Sequence, residues 1–102
     1  MSCVRHIVAW NYGDGLSEAE NAANAARVKT ELEHLGQVVD GAIAIDVHLG
    51  ALPSGERRVI LNSVFTDGEA LAVYQVHPEH QRVSAFISTV FQDRVCLDYY
   101  EQ

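Results

Sequence analysis

The predicted strands of this sequence carry large apolar side chains on both faces, and this limits the folds that can bury them. In the first strand, residues 3–12, apolar side chains lie on both faces. Val4, Val8 and Trp10 are on one face, and Ile7 and Ala9 are on the other. The strands at 58–66 and 94–100 repeat the pattern. Helices on one side would leave an apolar face in water, and such a patch marks an interaction surface. We expect a second copy to cover it, sheet against sheet; the alternative is a monomer that tolerates the exposed face.

The order of the predicted elements defines the fold class. A capping box at Ser17–Glu20 and a second capping-box pattern at Thr66–Glu69 open helices, and Gly36 is the expected C-terminal residue of the first. The predicted elements are strands at 3–12, 38–49, 58–66 and 94–100 and helices at 17–35, 66–76 and 78–91. The pattern is the β-α-β-β-α-β order of a ferredoxin-like α+β fold with a four-stranded antiparallel sheet, a single domain over residues 1–102. Right-handed crossovers place the helices on one face, and two sheets paired would close a dimeric α+β barrel.

Charge and composition exclude several classes of partner. The 14 acidic and 7 basic side chains give a net charge of −7. Nucleic acids and anionic membranes bind clustered Lys and Arg, which are scattered here except at Arg57–Arg58, so neither partner is expected. Cys3 and Cys96 lack the spacing of a metal motif and are expected to be reduced core residues. No apolar run approaches a membrane span, and we predict a cytoplasmic protein.

A segment late in the chain places two histidines and a tyrosine around a helix break. In Tyr74–His80, Pro78 cannot continue the preceding helix but suits the first turn of a new one. Histidine has the unperturbed pKa nearest neutrality, so the pair is a candidate for handling a proton or a metal. The alternative is structural: His77 caps the break and His80 hydrogen-bonds to the backbone. The segment alone leaves both interpretations open.

Several short motifs, in this order and spacing, resemble the stress-responsive dimeric A/B barrel (Dabb) family. They are Arg5–Val8, Phe65–Leu71, Tyr74 with His77–His80, and Asp98–Tyr99. Together they span nearly the whole chain. The resemblance implies a ferredoxin-like protomer whose sheet pairs with a second copy into a dimeric barrel, in agreement with the argument from the two apolar faces.

The resemblance also implies candidate catalytic residues. A plant cyclase of this family closes a linear polyketide by an aldol-type condensation; its catalytic histidine and tyrosine fall on His80 and Tyr74, and a pocket histidine falls on His6. Its first helix carries pocket aromatics, whereas the first helix here has Asn24, Ala25 and Val28 at the corresponding positions. The resemblance thus implies the His80–Tyr74 pair but not the polyketide substrate.

Three functional hypotheses follow. In the first, neutral His80 removes a proton next to a carbonyl and Tyr74 donates to the enolate oxygen, a cyclase- or lyase-like activity on a small apolar or carbonyl-containing molecule that needs no cofactor. The candidate substrate-binding residues in the barrel pocket are His6, Val8, Trp10, His77 and Phe86. In the second, His6, His77 and His80 bind a metal, but zinc sites use three or four ligands and we expect none. In the third, the dimer is a non-catalytic, stress-responsive structural or ligand-binding protein whose aromatics fill a core.

Overall fold

The computed structural model describes residues 2–102 and contains four strands and three helices in the order β1-α1-β2-β3-α2-α3-β4. The bounds are β1 Cys3–Tyr12, α1 Glu18–Val38, β2 Ala42–His48, β3 Val59–Phe65, α2 Gly68–Val76, α3 Pro78–Val90 and β4 Phe91–Glu101. The strands pair in the order β2-β3-β1-β4, and every adjacent pair is antiparallel. The predicted ferredoxin-like α+β fold is confirmed. Within residues 2–102, none of the helices has the length and apolar character needed to cross a membrane.

Strand alternation gives the sheet two different faces. The helix face packs against the three helices and holds the core, with the strand side chains Val4, His6, Val8, Trp10, Ile45, Val47, Val59, Leu61, Ser63 and Phe65. The helices contribute their inner stripes, with Ala25, Val28, Leu32, Leu35, Leu71, Tyr74, Val83, Ile87 and Val90. The prediction that the helices share one face of the sheet agrees with this packing.

The opposite side, which we call the open face, carries no element of the same chain. It presents the alternate strand residues Arg5, Ile7, Ala9, Ile60, Asn62, Val64, Val95, Leu97 and Tyr99. Its β4 side chains are the most exposed: Val95 by 39%, Leu97 by 59% and Tyr99 by 48%. One corner is polar, because Arg5 donates to the Glu101 carboxylate at 2.8 Å and to Asn62 Oδ1 at 2.6 Å. The β2 edge of the face is also polar, with Asp46 and His48 exposed beside Asn62 and Ile60, so the apolar surface in water lies toward β4.

The boundary between α1 and β2 differs from the sequence prediction. Helix α1 continues through Gly36 to Val38, and the strand predicted at 38–49 begins at Ala42. Gly36 lies inside the helix, and a Cβ there would make only ordinary contact with Ile45 at 3.7 Å, so this glycine does not terminate α1. The turn comes later, at Gly41, whose φ of +85° favours glycine. A Cβ there would also come within 2.6 Å of Ala70.

The start of α2 and the break before α3 follow from local capping. The N-cap of α2 is Asp67, whose carboxylate accepts from Ala70 N at 2.8 Å, so the predicted Thr66–Glu69 capping box does not form and the cap lies one residue later. Asp is as good an N-cap residue as Ser or Thr, so the geometry of the turn determines which of the two positions caps the helix. Pro78 occupies the first turn of α3, as expected, and His77 caps it.

Strand β4 contains a bulge where it passes the end of β1. The pairing advances two residues on β1, from Ala9 to Asn11, while β4 advances three, from Val95 to Gln92. Asp93 within this step has a φ of +58°. Its carboxylate accepts from Asn11 Nδ2 at 3.2 Å, and its carbonyl accepts from Arg57 Nε at 2.7 Å. The extra residue switches the side-chain alternation of β4, as a bulge does.

We predict that backbone strain at Asp93 appears in a matched pair of variants. Asp93→Ala and Asp93→Gly both lose the carboxylate bond to Asn11, but only glycine adopts a left-handed φ without steric cost. The glycine variant should therefore have the higher free energy of unfolding, by about 1 kcal/mol. Urea denaturation measures the difference.

The control is the same pair at Gln92, which is not in the left-handed region. There glycine should be the less stable residue, because it has more conformational entropy to lose in a strand. Equal stability of the two Asp93 variants would mean that the bulge does not hold position 93 in the left-handed region in solution.

Candidate functional site

A cavity of about 280 Å³ lies between the sheet and helix α3. Its lining residues are His6, Val8, Trp10, Leu32, Leu61, Tyr74, His80, Ser84, Ile87, Ser88, Phe91, Gln92, Asp93 and Arg94. Apolar side chains make up about half of the lining and polar or charged ones the other half, so a ligand would meet both packing surfaces and hydrogen-bonding groups. The cavity exists because no helix covers the β4 edge: Arg94, Cys96 and Asp98 point to the helix face and remain exposed.

The cavity is not in the place predicted for a barrel pocket. Its walls come from the helix face of one protomer, whereas the predicted pocket lay inside a barrel closed by two sheets. The reason is register. Val8 and Trp10 alternate with Ile7 and Ala9, and the even-numbered set, which includes His6, faces the helices. The residues that line the site therefore all belong to one protomer.

His80 reaches the cavity from the first turn of α3. The Pro78 break ends α2 and starts α3 in a new direction, and His77 Nδ1 caps the start by accepting from Glu79 N at 3.1 Å. His80 Nδ1 lies 3.2 Å from the Gln75 carbonyl oxygen, which can only accept, so this nitrogen is the donor. In the neutral ring Nε2 is then unprotonated and can accept a proton.

The charge state of His80 suits a base. Burial lowers its pKa, because the imidazolium form loses hydration. The hydrogen bond to the Gln75 carbonyl raises the pKa, but the nearby His6, Arg94 and His77 lower it further. The net direction is below the ordinary value of 6.5. The ring is therefore neutral at neutral pH.

Tyr74 lies against His80 and is fully buried. The two ring centroids are 4.4 Å apart, and the Tyr74 ring also packs on Phe65 at 4.9 Å and His6 at 6.2 Å. Its hydroxyl has no hydrogen-bond partner among residues 2–102. Burial raises the pKa of this phenol, so it remains a donor. An unpartnered buried hydroxyl costs free energy, so a native protein that keeps one calls for an explanation.

His6 on β1 is held by its neighbours across the strands. It is 2% exposed, and its Nδ1 hydrogen-bonds to the Asp98 carboxylate on β4, its register partner. On the other side, Ser63 Oγ donates to the His6 carbonyl at 2.7 Å. Because Nδ1 faces the acidic group, it carries the proton, and Nε2 is the nitrogen left for a ligand.

The structure separates the predicted site residues into two groups. His6, Val8, Trp10, Tyr74 and His80 line the cavity together. His77 and Phe86 do not. His77 caps α3, and Phe86 lies under the guanidinium of Arg27, whose Cζ is 3.7 Å from the ring centroid. Both structural roles proposed for the histidine pair are therefore present, and His80 combines its backbone bond with a place in the cavity wall.

One cluster within residues 2–102 has the composition of a metal site. His6, Cys96 and Asp98 offer donor atoms within 4.8 Å of one another, brought together by the β1–β4 pairing rather than by sequence spacing. The thiol donates to Asp98 Oδ1 at 3.5 Å, and burial together with the carboxylate raises the Cys96 pKa. The His6 ring and the Cys96 thiol thus both bond to the Asp98 carboxylate. His77 lies apart from this cluster.

Sequence reasoning missed several residues of the cavity. Ser84, Ile87 and Ser88 follow His80 at helical spacing on α3, so an i, i+4, i+7, i+8 search from His80 would have found them. Arg94 and Phe91 lie on the same side of β4 only because of the bulge, and strict alternation separates them. No sequence signal for that bulge was available beyond an Asp, a residue that tolerates positive φ.

Solved structures show the same fold. A dimeric protein of unknown function from Bacteroides fragilis is 26% identical, covers 95% of this chain and 94% of its own, and has a TM-score of 0.87. A dimeric ferredoxin-like protein of unknown function from Thermobifida fusca is 20% identical over 96% and 90% of the two chains, with a TM-score of 0.80. The hydroxynitrile lyase of Passiflora edulis is 17% identical over 98% and 94%, with a TM-score of 0.78.

Sequence comparison assigns the family. None of the curated proteins matches the chain. The family model for the Stress responsive A/B Barrel Domain matches residues 4–101, which takes in every strand and helix of the structure except the terminal residue of β1. The chain therefore belongs to the stress responsive A/B barrel domain (Dabb) family.

Proposed function

We propose that this protein is a cofactor-independent acid–base catalyst acting on a small, largely apolar carbonyl compound bound in the cavity. One observation carries the proposal: the buried Tyr74 hydroxyl has no hydrogen-bond partner among residues 2–102, and its ring packs against a neutral His80. A hydroxyl kept free at a cost to stability is available to donate to a ligand. A neutral imidazole next to it is available to accept a proton.

The chemistry divides between the two side chains. His80 Nε2 takes a proton from the carbon next to the carbonyl; the C–H bond breaks, an N–H bond forms, and the electron pair moves to the carbonyl oxygen. Tyr74 donates a hydrogen bond to that oxygen as negative charge develops there. The enolate carbon then takes the proton back or attacks a second carbonyl, whose oxygen receives the proton from His80. The balance requires no redox partner.

The rest of the cavity supports this division. Trp10, Leu32, Leu61, Ile87 and Phe91 supply apolar walls that exclude water and strengthen electrostatic interactions inside. His6, fixed by Asp98, adds a second ring nitrogen near Tyr74. The fold also occurs in a hydroxynitrile lyase, whose 17% identity carries only the fold.

We predict that the protein accelerates proton exchange at enolisable carbons and that His80→Gln abolishes this. In D2O, the CH2 protons of phenylacetone and of 1-phenylbutane-1,3-dione should exchange faster with the protein than in buffer. Glutamine can keep the bond to the Gln75 carbonyl but cannot act as a base. We expect a loss of about 100-fold in the catalysed rate. Proton NMR of the CH2 signals measures it.

His34→Gln is the matched control, because His34 is exposed on α1 and should leave the rate unchanged. The pH profile adds a second test. Because the His80 pKa is lowered, the base stays neutral as pH falls through 6.5, and kcat/KM should decrease only at lower pH. If both probes bind, as judged by Trp10 emission, yet exchange no faster than in buffer, the non-catalytic ligand-binding dimer is the better description.

We predict that Tyr74→Phe stabilises the fold while it lowers the exchange rate. The substitution removes a buried hydroxyl without a protein partner, and such a group costs about 1–3 kcal/mol. The free energy of unfolding should rise by about 1 kcal/mol in urea denaturation. The exposed Tyr100→Phe is the control, with a change within about 0.5 kcal/mol. A loss of stability in Tyr74→Phe would mean that the hydroxyl is already satisfied in the free protein.

We also propose that the protein is a homodimer joined through the open face. Val95, Leu97 and Tyr99 stay in water in one protomer, and a contiguous apolar patch of this kind favours association. The Arg5–Glu101 pair at one corner gives the face a polar rim. Relatives from Bacteroides fragilis and Thermobifida fusca are described as dimeric, which supports the same assembly here.

We predict that Leu97→Glu separates the dimer. Sedimentation velocity of the parent should give twice the chain mass of 11.2 kDa, and the variant should give a single chain, because a carboxylate buried between two sheets is costly. Val76→Glu is the control, since Val76 is 66% exposed on α2, away from the open face, and should leave the parent mass unchanged. A parent that sediments as a monomer contradicts the assembly.

A further inference from the structure

Arg94 is a cation in the cavity wall without an ion-pair partner. Ion pairs engage Arg5, Arg27, Lys29 and Arg82, and Arg57 donates to two backbone carbonyls. Of the two remaining basic residues within 2–102, Arg58 lies outside the cavity and Arg94 lines it. In a chain with twice as many acidic as basic side chains, a guanidinium left free of carboxylates is notable.

The bulge of β4 gives Arg94 its position. Arg94, Cys96 and Asp98 alternate on the helix face, while Phe91, beyond the extra residue, packs on Trp10 from that same face at 5.9 Å between ring centroids. Arg94 therefore stands between an aromatic wall and the His6–Asp98 pair. Asp93 also lines the cavity, but its carboxylate accepts from Asn11 and forms no ion pair with Arg94.

The catalytic pair is within electrostatic reach of this charge. Arg94 is among the groups that lower the pKa of His80, and it lowers the pKa of Cys96 as well, so its positive charge acts toward both side chains. The same cavity also has apolar lining, with Leu32, Leu61 and Ile87. A ligand that matched both Arg94 and the apolar lining would have an apolar body and one anionic group.

We propose that Arg94 selects substrates that carry a carboxylate, held by its guanidinium at the mouth while an apolar or aromatic body fills the cavity. This deepens the proposed function: the substrate class becomes carboxylate-bearing carbonyl compounds. Arginine suits the role because its planar fork meets a carboxylate through two parallel hydrogen bonds. The cavity admits such a molecule from solvent through the uncovered edge of β4, where Arg94 is exposed.

Binding of a matched pair of probes tests this without any turnover. The probes are 3-phenylpropanoate and 3-phenylpropanamide, which have the same shape but differ in charge. The emission of Trp10, the only tryptophan of the chain and part of the cavity wall, reports their binding at pH 7.5 and low salt. The parent should bind the carboxylate about tenfold more tightly than the amide.

Arg94→Gln should reduce that preference to about twofold or less, mainly by weakening the carboxylate and not the amide. Arg94→Lys, which keeps the charge but not the fork, should retain a reduced preference. Arg58→Gln removes the same charge from an exposed position outside the cavity and should leave the preference intact.

Two results would overturn the proposal. One is a parent that binds the carboxylate no more tightly than the amide, including a parent that binds neither. The other is a preference that survives in Arg94→Gln. The outcome is separate from that of the exchange assay. His80→Gln should keep the carboxylate preference. A parent that is inactive in the exchange assay but still prefers the carboxylate would contradict the proposed catalytic function and support the anion site.

Discussion

The pairing of β1 with β4 is the constraint on which the site depends. It sets His6 opposite Asp98 and Val8 opposite Cys96, and it extends the sheet beyond the width that the helices cover. The helix face of β4 consequently reaches solvent at Arg94, Cys96 and Asp98. The cavity lies beside this exposed stretch, lined by α3 and by His6, Val8 and Trp10 of β1.

Within that cavity, burial acts in opposite senses on two neighbouring groups. It disfavours the charged form of each, which keeps His80 unprotonated and Tyr74 protonated. One environment thus prepares an acceptor and a donor side by side. His80 gains its orientation from the Gln75 carbonyl at the Pro78 break, so the helix interruption fixes both the place and the tautomer of the ring.

Much of this arrangement could be predicted from local patterns. Strand alternation, the Ser17 capping box and the Pro78 break gave the element order, and the family motifs indicated His6, Tyr74 and His80. The helix and strand ends were less accessible, because Gly36 lies inside α1 and the glycine with a positive φ comes later, at Gly41. The side of the sheet that holds the cavity was also misplaced, because both faces of the strands are apolar and the sequence does not distinguish them. Arg94 and Cys96 needed the strand register, which depends on a bulge that has no clear sequence signal.

The residues that line the cavity form a buried floor and an exposed rim, which differ in how well they tolerate substitution. Val8, Trp10, Leu61 and Tyr74 belong to the hydrophobic core, so changing them disturbs folding. The rim is built from Ser84, Ser88 and Arg94, which are exposed and are not part of that core. Replacements there alter what enters at little energetic penalty. Selection can therefore diversify ligand preference among descendants of this scaffold while the machinery beneath is inherited intact.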